Sequence, residues 1–203
     1  MTRRAFYSAP IAEFMNTSAD HIIGVITSNH TQQLRHEQTS AWHVQTQILQ
    51  QALNHLDVHD GHVFFEFLIP RMGKRADIVI VLNGVIYVIE FKVGASQFHA
   101  VDIRQTVSYA LDLKHFHRGS HSQPIIPILV ATKAASVQYQ LRFDADNLAK
   151  PIKASQSDLS EIIAFTSQVE LAQPIDAVKW ADSGYLPTPT IIEAVSFPYT
   201  ETV

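Results

Sequence analysis

Asp77, Glu90 and Lys92 are the residues of this chain whose types and spacing could do chemistry, and the Asn83-Gly84 pair between the two acids sets their relation. Asn-Gly between two β-prone runs is a strong hairpin signal, because both residues accept the positive φ of a type I′ turn. The runs are Ile78 to Leu82 and Val85 to Ile89. With a two-residue loop, facing residue numbers sum to 167, as those of Asp77 and Glu90 do. Facing Cβ atoms lie roughly 4.5–5.5 Å apart. Two bare carboxylates at that range repel by about 3 kcal/mol at an effective dielectric near 20. A sheet favours such a pair only with a proton or a cation between them.

Side chains alternate along a strand, so Glu90 and Lys92 share a face and Phe91 points into the core. Carboxylate oxygens suit Mg²⁺ or Mn²⁺, ions that keep water ligands and pair with phosphate. Such an ion activates a bound water and neutralises charge on a phosphoryl oxygen. A nearby ammonium can hold the attacking water or share the transition-state charge. The chemistry implied is metal-assisted hydrolysis of a phosphodiester.

The elements that must position these residues can be read around them. Helices are expected at Ile11–Phe14, with Ser8 as cap, from Ser18 through Ile26, and from about Glu37 to Leu56. Asp60-Gly61 turns the chain into a strand at Val63–Ile69, and the hairpin follows. A helix over Val101–Phe116 carries Ile103, Val107, Ala110 and Leu111 as its apolar stripe, with Gln105 and Tyr109 together on another face. A strand at Ile125–Ala131 comes next, then a helix from Asp158 to Val169 capped by Ser157. An irregular stretch from Pro174 to Pro189 is anchored by Trp180 and Tyr185, and a short helix begins at Ile191–Val195.

An Asp, a spacer and Glu-x-Lys after an apolar strand resemble the PD-(D/E)XK nuclease superfamily, although Ala76 stands where a proline usually precedes the Asp. Gln105-x-x-x-Tyr109 on the following helix resembles the accessory motif of the RecB-like branch. With Trp42, the stretch Phe65–Asp77 and Tyr109–Lys114, the set is similar to the nuclease-like N-terminal region of Schlafen-like bacterial DNA/RNA helicases, over about Phe6 to Tyr199. The resemblance implies an α/β fold with a restriction-endonuclease-like core. Its mixed central sheet is flanked by helices in the order helix, three strands, helix, strand, with helical additions at both ends.

It also implies roles. Asp77 and Glu90 would hold Mg²⁺ or Mn²⁺ with the backbone carbonyl of Phe91, and Lys92 would orient the attacking water. Gln105 and Tyr109 would position the scissile strand, with Arg71, Lys74 and Arg75 along the nucleic acid. Glu37 is either a further acidic ligand, as helix acids are in some members, or a charge that complements a helix N-terminus. Glu66 is read first as a satisfied edge-strand carboxylate, with a position pointing toward the site as the alternative, and Trp42 is read as core. The expected activity is hydrolysis of DNA, with RNA as the alternative, beside a helicase domain or subunit. The competing readings are a catalytically silent nucleic-acid-binding module and a protein-interaction domain.

Composition bounds these readings. The 203 residues, 17% of them charged, suit one globular domain, with about 186–203 as a linker toward a helicase domain. Gly73-Lys74-Arg75 lacks the flanking residues of a P-loop, so no ATPase motif is present. The absence of cysteine excludes disulfides, thiolate zinc sites and an iron–sulfur cluster. No apolar run approaches a membrane span or a signal peptide, and a cytoplasmic location is expected. The net charge is −4, yet the stretch from Arg71 to Arg118 holds seven bases and four acids. A local +3 on an acidic body is expected to mark either a phosphate-binding cleft or ordinary surface bases. Of eleven histidines, His117 and His121 are the ones to weigh as ligands against surface or structural roles.

Overall fold

A computed structural model describes residues 4–30, 36–54, 56, 61–69, 71–170 and 172–189. Its centre is a six-stranded mixed sheet whose spatial order follows the chain. The strands are β1 (Tyr7–Pro10), β2 (His62–Leu68), β3 (Arg75–Leu82), β4 (Val85–Lys92), β5 (Ile125–Ala131) and β6 (Ile152–Ala154). The first four pair antiparallel, while β4–β5 and β5–β6 run parallel. Among the described residues there are six α-helices: α1 (Ile11–Asn16), α2 (Ala19–Asn29), α3 (His36–Asn54), α4 (Ala100–Phe116), α5 (Leu159–Thr166) and α6 (Ala177–Ala181). A 3₁₀ turn follows α4 at Arg118–Ser120.

Both faces of the sheet are covered, which is why its central strands read as unbroken apolar runs rather than alternating ones. Ile78, Ile80, Tyr87, Ile89 and Phe91 share one core with residues of α1, α2, α3 and α5. Val79, Val81, Ile86 and Val88 share the other with Tyr109, Ala110 and Leu113 of α4 and Trp180 of α6. Parallel β4 and β5 need a crossover between them, and α4 provides it.

The hairpin turns at Asn83 and Gly84, whose φ values of 51° and 79° both lie in the left-handed region. Leu82 pairs with Val85, and the register runs through to Ile78 opposite Ile89. A Cβ on Gly84 would overlap the backbone of Gln173, so glycine is needed there for space as well as for φ.

Helices α2 to α5 and strands β2 to β5 lie close to their expected positions, and Ser18 caps α2 through the His21 amide. Several local expectations change. Residues Tyr7–Pro10 form an edge strand, and the Ser8 hydroxyl bonds the His62 ring at 3.0 Å instead of capping α1. Ser157 does not cap α5; its hydroxyl meets Ser155, and Asp158 occupies the cap position. Strand β6 had no turn signal strong enough to set it apart from its polar surroundings. The additions at the ends therefore include strands as well as helices.

Helix α4 buries Thr106, Tyr109, Ala110, Leu113 and Phe116, while Leu111 is exposed and Ile103 and Val107 are only half-buried. Its buried stripe is rotated from the apolar one expected. The sheet it packs on presents Glu90, so a face carrying Gln105 and Tyr109 turns inward. Trp180 is buried as expected, whereas Tyr185 is exposed on one side and stacks on Phe116. Leu186 and Thr188 bond backbone carbonyls at the end of α4. The helix expected at Ile191–Val195 lies outside the described residues.

Candidate functional site

The regular pairing of β3 with β4 ends at Ile78 and Ile89, and at the next level the two carboxylates take over the cross-strand bonding. The Asp77 amide donates to the Glu90 carboxylate at 3.0 Å. The Phe91 amide donates to the Asp77 carboxylate at 2.8 Å. Each acid thus reaches the backbone of the opposite strand. Charge-assisted bonds of this kind hold both side chains without using up their oxygens, since each oxygen retains a lone pair.

Glu90 is almost fully buried, at 2% exposure, and its second oxygen accepts from Gln105 Nε2 at 3.0 Å. The same Gln105 nitrogen lies 3.1 Å from the Tyr109 hydroxyl. The Gln-x-x-x-Tyr pair is therefore joined to the acid at the end of β4, with Tyr109 itself buried. Lys92 Nζ lies 3.3 Å from Asp102 in the first turn of α4, a partner absent from the sequence reading.

Burial raises the acids in this cluster. The Asp77 carboxyl is pushed up to about 7 by desolvation, against the pull of the Phe91 amide; nearby Glu66 adds to the rise and Lys92 opposes it. Glu90 is held well above the usual carboxylate range by burial first and by the Asp77 charge second. Tyr109 is raised by burial and then by Glu90. The hairpin keeps this arrangement because its other residues offset it. One buried Val or Ile contributes about 1.5–3 kcal/mol, so a pair such as Ile78 and Ile89 outweighs a repulsion of about 3 kcal/mol.

Glu66 joins the cluster, which is the alternative reading of it and not the favoured one of a satisfied structural carboxylate. Phe65 pairs with Ile78 and Phe67 with Ala76, which puts Glu66 opposite Asp77. Carboxylates at 66, 77 and 90 therefore stand at one level across three adjacent strands. The pleat slips at this level: Phe64 and Phe67 lie in one core with Phe65 in the other. Ala76 and Val79 likewise share a core that excludes Ile78. Glu66 has φ 52°, uncommon for a residue with a side chain. Its Oε1 accepts from Trp42 Nε1 at 2.8 Å, and burial raises its carboxyl against that bond. The β2–β3 register, which centres on Arg71 and Met72 with the Ile69 amide bonded to the Lys74 carbonyl, is what sets Glu66 at this level.

A cleft of about 820 Å³ opens over this level between α3 and the start of α4. Glu37, Glu66, Asp77 and Asp102 line it with a single ammonium, Lys92. Four carboxylates against one ammonium make it an attractor of cations and not a basic groove, which is one of the two readings of the 71–118 charge. Phe91 also lines it, and its amide bond to Asp77 keeps its backbone beside that carboxylate. Hard oxygen donors of this type fit Mg²⁺ or Mn²⁺. Among the described residues, no group of three or more His, Cys, Asp and Glu by itself forms a metal cage.

The proposed nucleic-acid bases have other engagements. Arg71 Nε bonds the buried Asp112 carboxylate at 3.1 Å, and its guanidinium lies over Phe116. Arg75 donates to the Glu66 carbonyl at 2.5 Å and lies 3.8 Å over the Phe6 ring. Lys114 is buried against the Gln123 carbonyl. Lys74, Arg104 and Arg118 are exposed. His117 is wholly buried between Ser120, Ser183 and Trp180, with burial lowering it to about 4, which marks it as a structural histidine. His121 has a buried ring nitrogen without a partner.

Compared with models of known protein families, with curated proteins and with solved structures, the chain matches none. Among the described residues, no helix is long and apolar enough to cross a membrane.

Proposed function

We propose that the protein is a Mg²⁺- or Mn²⁺-dependent nuclease with a restriction-endonuclease-like core, hydrolysing DNA phosphodiester bonds. The single observation that carries this reading is the bonding of the Glu90 carboxylate to the Asp77 amide and of the Asp77 carboxylate to the Phe91 amide across the end of one hairpin, beside a cleft that Lys92 lines. The order α3, β2, β3, β4, α4, β5 supports it as well. Asp77, Glu90 and the Phe91 carbonyl would hold the cation, and Glu37 stands at the outer wall of the same cleft. When bound, the cation would activate water and neutralise charge on the phosphoryl oxygen.

The chain's own residues do the rest. Gln105 fixes the Glu90 carboxylate through one hydrogen bond, and Tyr109 braces Gln105. The Phe91 amide fixes Asp77. Lys92, released from Asp102 as a phosphate arrives, would orient the attacking water and offset the charge that builds as the P–O bond to the leaving strand breaks. Lys74, Arg104 and Arg118 offer exposed charge to the flanking backbone, while Arg71 and Arg75 serve mainly to hold the fold. A helicase domain or subunit is the setting that the sequence resemblance implies.

The test is incubation of single- and double-stranded DNA, and of RNA, with Mn²⁺ or Mg²⁺ and with EDTA. Metal-dependent cleavage that Asp77→Asn abolishes is expected. The Lys92–Asp102 ion pair favours a second reading, a silent binding module, since a lysine held by a carboxylate is not poised on water. Salt-sensitive DNA binding without cleavage under either metal would select it.

A further inference from the structure

We propose that the groove between residues 137–141 and α5 binds an extended, basic peptide of a partner protein, added as a strand along residues 138–141. The sequence Val137-Gln138-Tyr139-Gln140-Leu141-Arg142-Phe143 alternates apolar and polar residues, the pattern of a half-buried strand. Its odd-numbered residues are half-buried and its even-numbered ones exposed, and Tyr139, Leu141 and Phe143 pack on the core. Yet it lies outside the six-stranded sheet. It is paired only at its end, where Phe143 bridges Ala149 and the Lys150 amide donates to the Arg142 carbonyl. Among the described residues, no backbone group from Gln138 to Leu141 pairs with another backbone group. A segment already extended, with its N–H and C=O groups open, is a template for another chain's strand. Main-chain bonds then give affinity, and pockets for alternate side chains give specificity.

The lining of the groove selects the peptide. It encloses about 890 Å³ and shares no lining residue with the cleft at Asp77. Helix α5 has eight residues. It therefore runs about 12 Å, the span of about four extended residues. Phe165 on α5 is 63% exposed, and its ring meets Tyr139 edge-on with centroids 6.3 Å apart. Asp158 and Glu161 line the groove with these rings, and among the described residues no Lys, Arg or His lines it. The Tyr139 hydroxyl is raised by burial first and then by the Glu161 and Asp158 charges, so both acids act on it. Asp158 holds the wall in place through the Ser136 hydroxyl and the Ser155 amide, which leaves Glu161 as the open charge. Two rings and a carboxylate suit a Lys or Arg side chain, whose cation lies over a ring face and pairs with the acid. The same charges repel a phosphate backbone, so the occupant is a peptide and not a nucleic acid.

Fluorescence anisotropy with a labelled peptide of alternating Val and Arg tests this. The parent protein is expected to bind it saturably and to ignore a Val-Glu counterpart. Two further peptides are N-methylated on alternate residues, one set on Val and the other on Arg. One should lose at least about tenfold in affinity and the other little, because only every second amide of a strand faces its neighbour. Phe165→Ala and Glu161→Lys change exposed positions, and each should weaken binding about tenfold, with circular dichroism checking the fold. Absence of binding to the parent at millimolar peptide overturns the proposal. Equal binding of the Val-Glu peptide, equal loss from both methylated sets, or parent affinity in both variants does the same. A dimer in sedimentation that Phe165→Ala dissolves would put a second copy of the chain in the groove and overturn it as well.

Discussion

Asp77 and Glu90 each occupy the hydrogen-bonding place of the other's strand, with the Phe91 amide on Asp77 at 2.8 Å and the Asp77 amide on Glu90 at 3.0 Å. The backbone therefore holds the acids together at the point where the ladder stops. Two carboxylates kept side by side in a buried setting are poised either to share a proton or to share a cation. The following experiments separate those states and assign roles around them.

Replacing Asp77 with Asn keeps the shape and the acceptor for the Phe91 amide but removes one charge of the pair. Mn²⁺ binding is expected to vanish while the metal-free protein becomes more stable, because the repulsion with Glu90 is gone. Calorimetry and thermal melting in EDTA read both effects. Undiminished Mn²⁺ affinity would count decisively against Asp77 as a ligand.

The metal-free protein should lose stability as pH rises. Asp77 titrates near 7 in the folded chain, above the usual carboxylate range that it has when unfolded, and Glu90 is shifted the same way. The folded state thus binds more protons between about pH 4 and 7, and stability falls with pH wherever that holds. Tm in EDTA should be higher at pH 5 than at pH 8, and Asp77→Asn should flatten the difference. Saturating Mn²⁺ should raise Tm at pH 8 more than at pH 5, since the cation replaces the proton.

Lys92→Ala should separate catalysis from binding. On the proposed mechanism its ammonium would act on the attacking water and on transition-state charge, so turnover is expected to fall about 10²–10³-fold. DNA affinity should change little, because one phosphate contact among several is lost. Cleavage at the parent rate would remove Lys92 from the mechanism.

Gln105→Leu tests the link between α4 and the hairpin. Glu90 loses its donor while the packing volume is retained. Metal affinity should fall about 10–100-fold, the usual effect of removing a group that orients a ligand. An unchanged titration would confine Gln105 to the substrate side.

Gly84→Ala should cost about 2 kcal/mol or more, from the positive φ and the overlap with the Gln173 backbone together. For a domain of this size that corresponds to a Tm lower by roughly 4–8 °C. Because Gly84 sets the register that pairs Asp77 with Glu90, metal binding should weaken as well. A variant with parent Tm would show that the turn tolerates a side chain.

The hairpin was determined by local sequence. Asn83 and Gly84 are the residues that left-handed backbone accepts at least cost, and the alternation of strand faces then fixed Asp77 opposite Glu90 with no reference to the rest of the chain. The strands around them and α4 follow from apolar runs of the right length. What only the tertiary structure decided are the contacts made between distant elements. The rotation of α4 depends on which sheet residues it meets, so its half-apolar stripe could not say that Tyr109 turns inward. Lys92 found Asp102 because the crossover returns to the end of β4. Glu66 entered the cluster because β2 pairs with β3 in one register and slips its pleat at Asp77, where Trp42 from α3 holds it. The acidic lining of the cleft likewise collects Glu37, Glu66, Asp77 and Asp102 from separate elements, and a count of charges along the chain cannot carry that, since charge acts through space and not along the sequence.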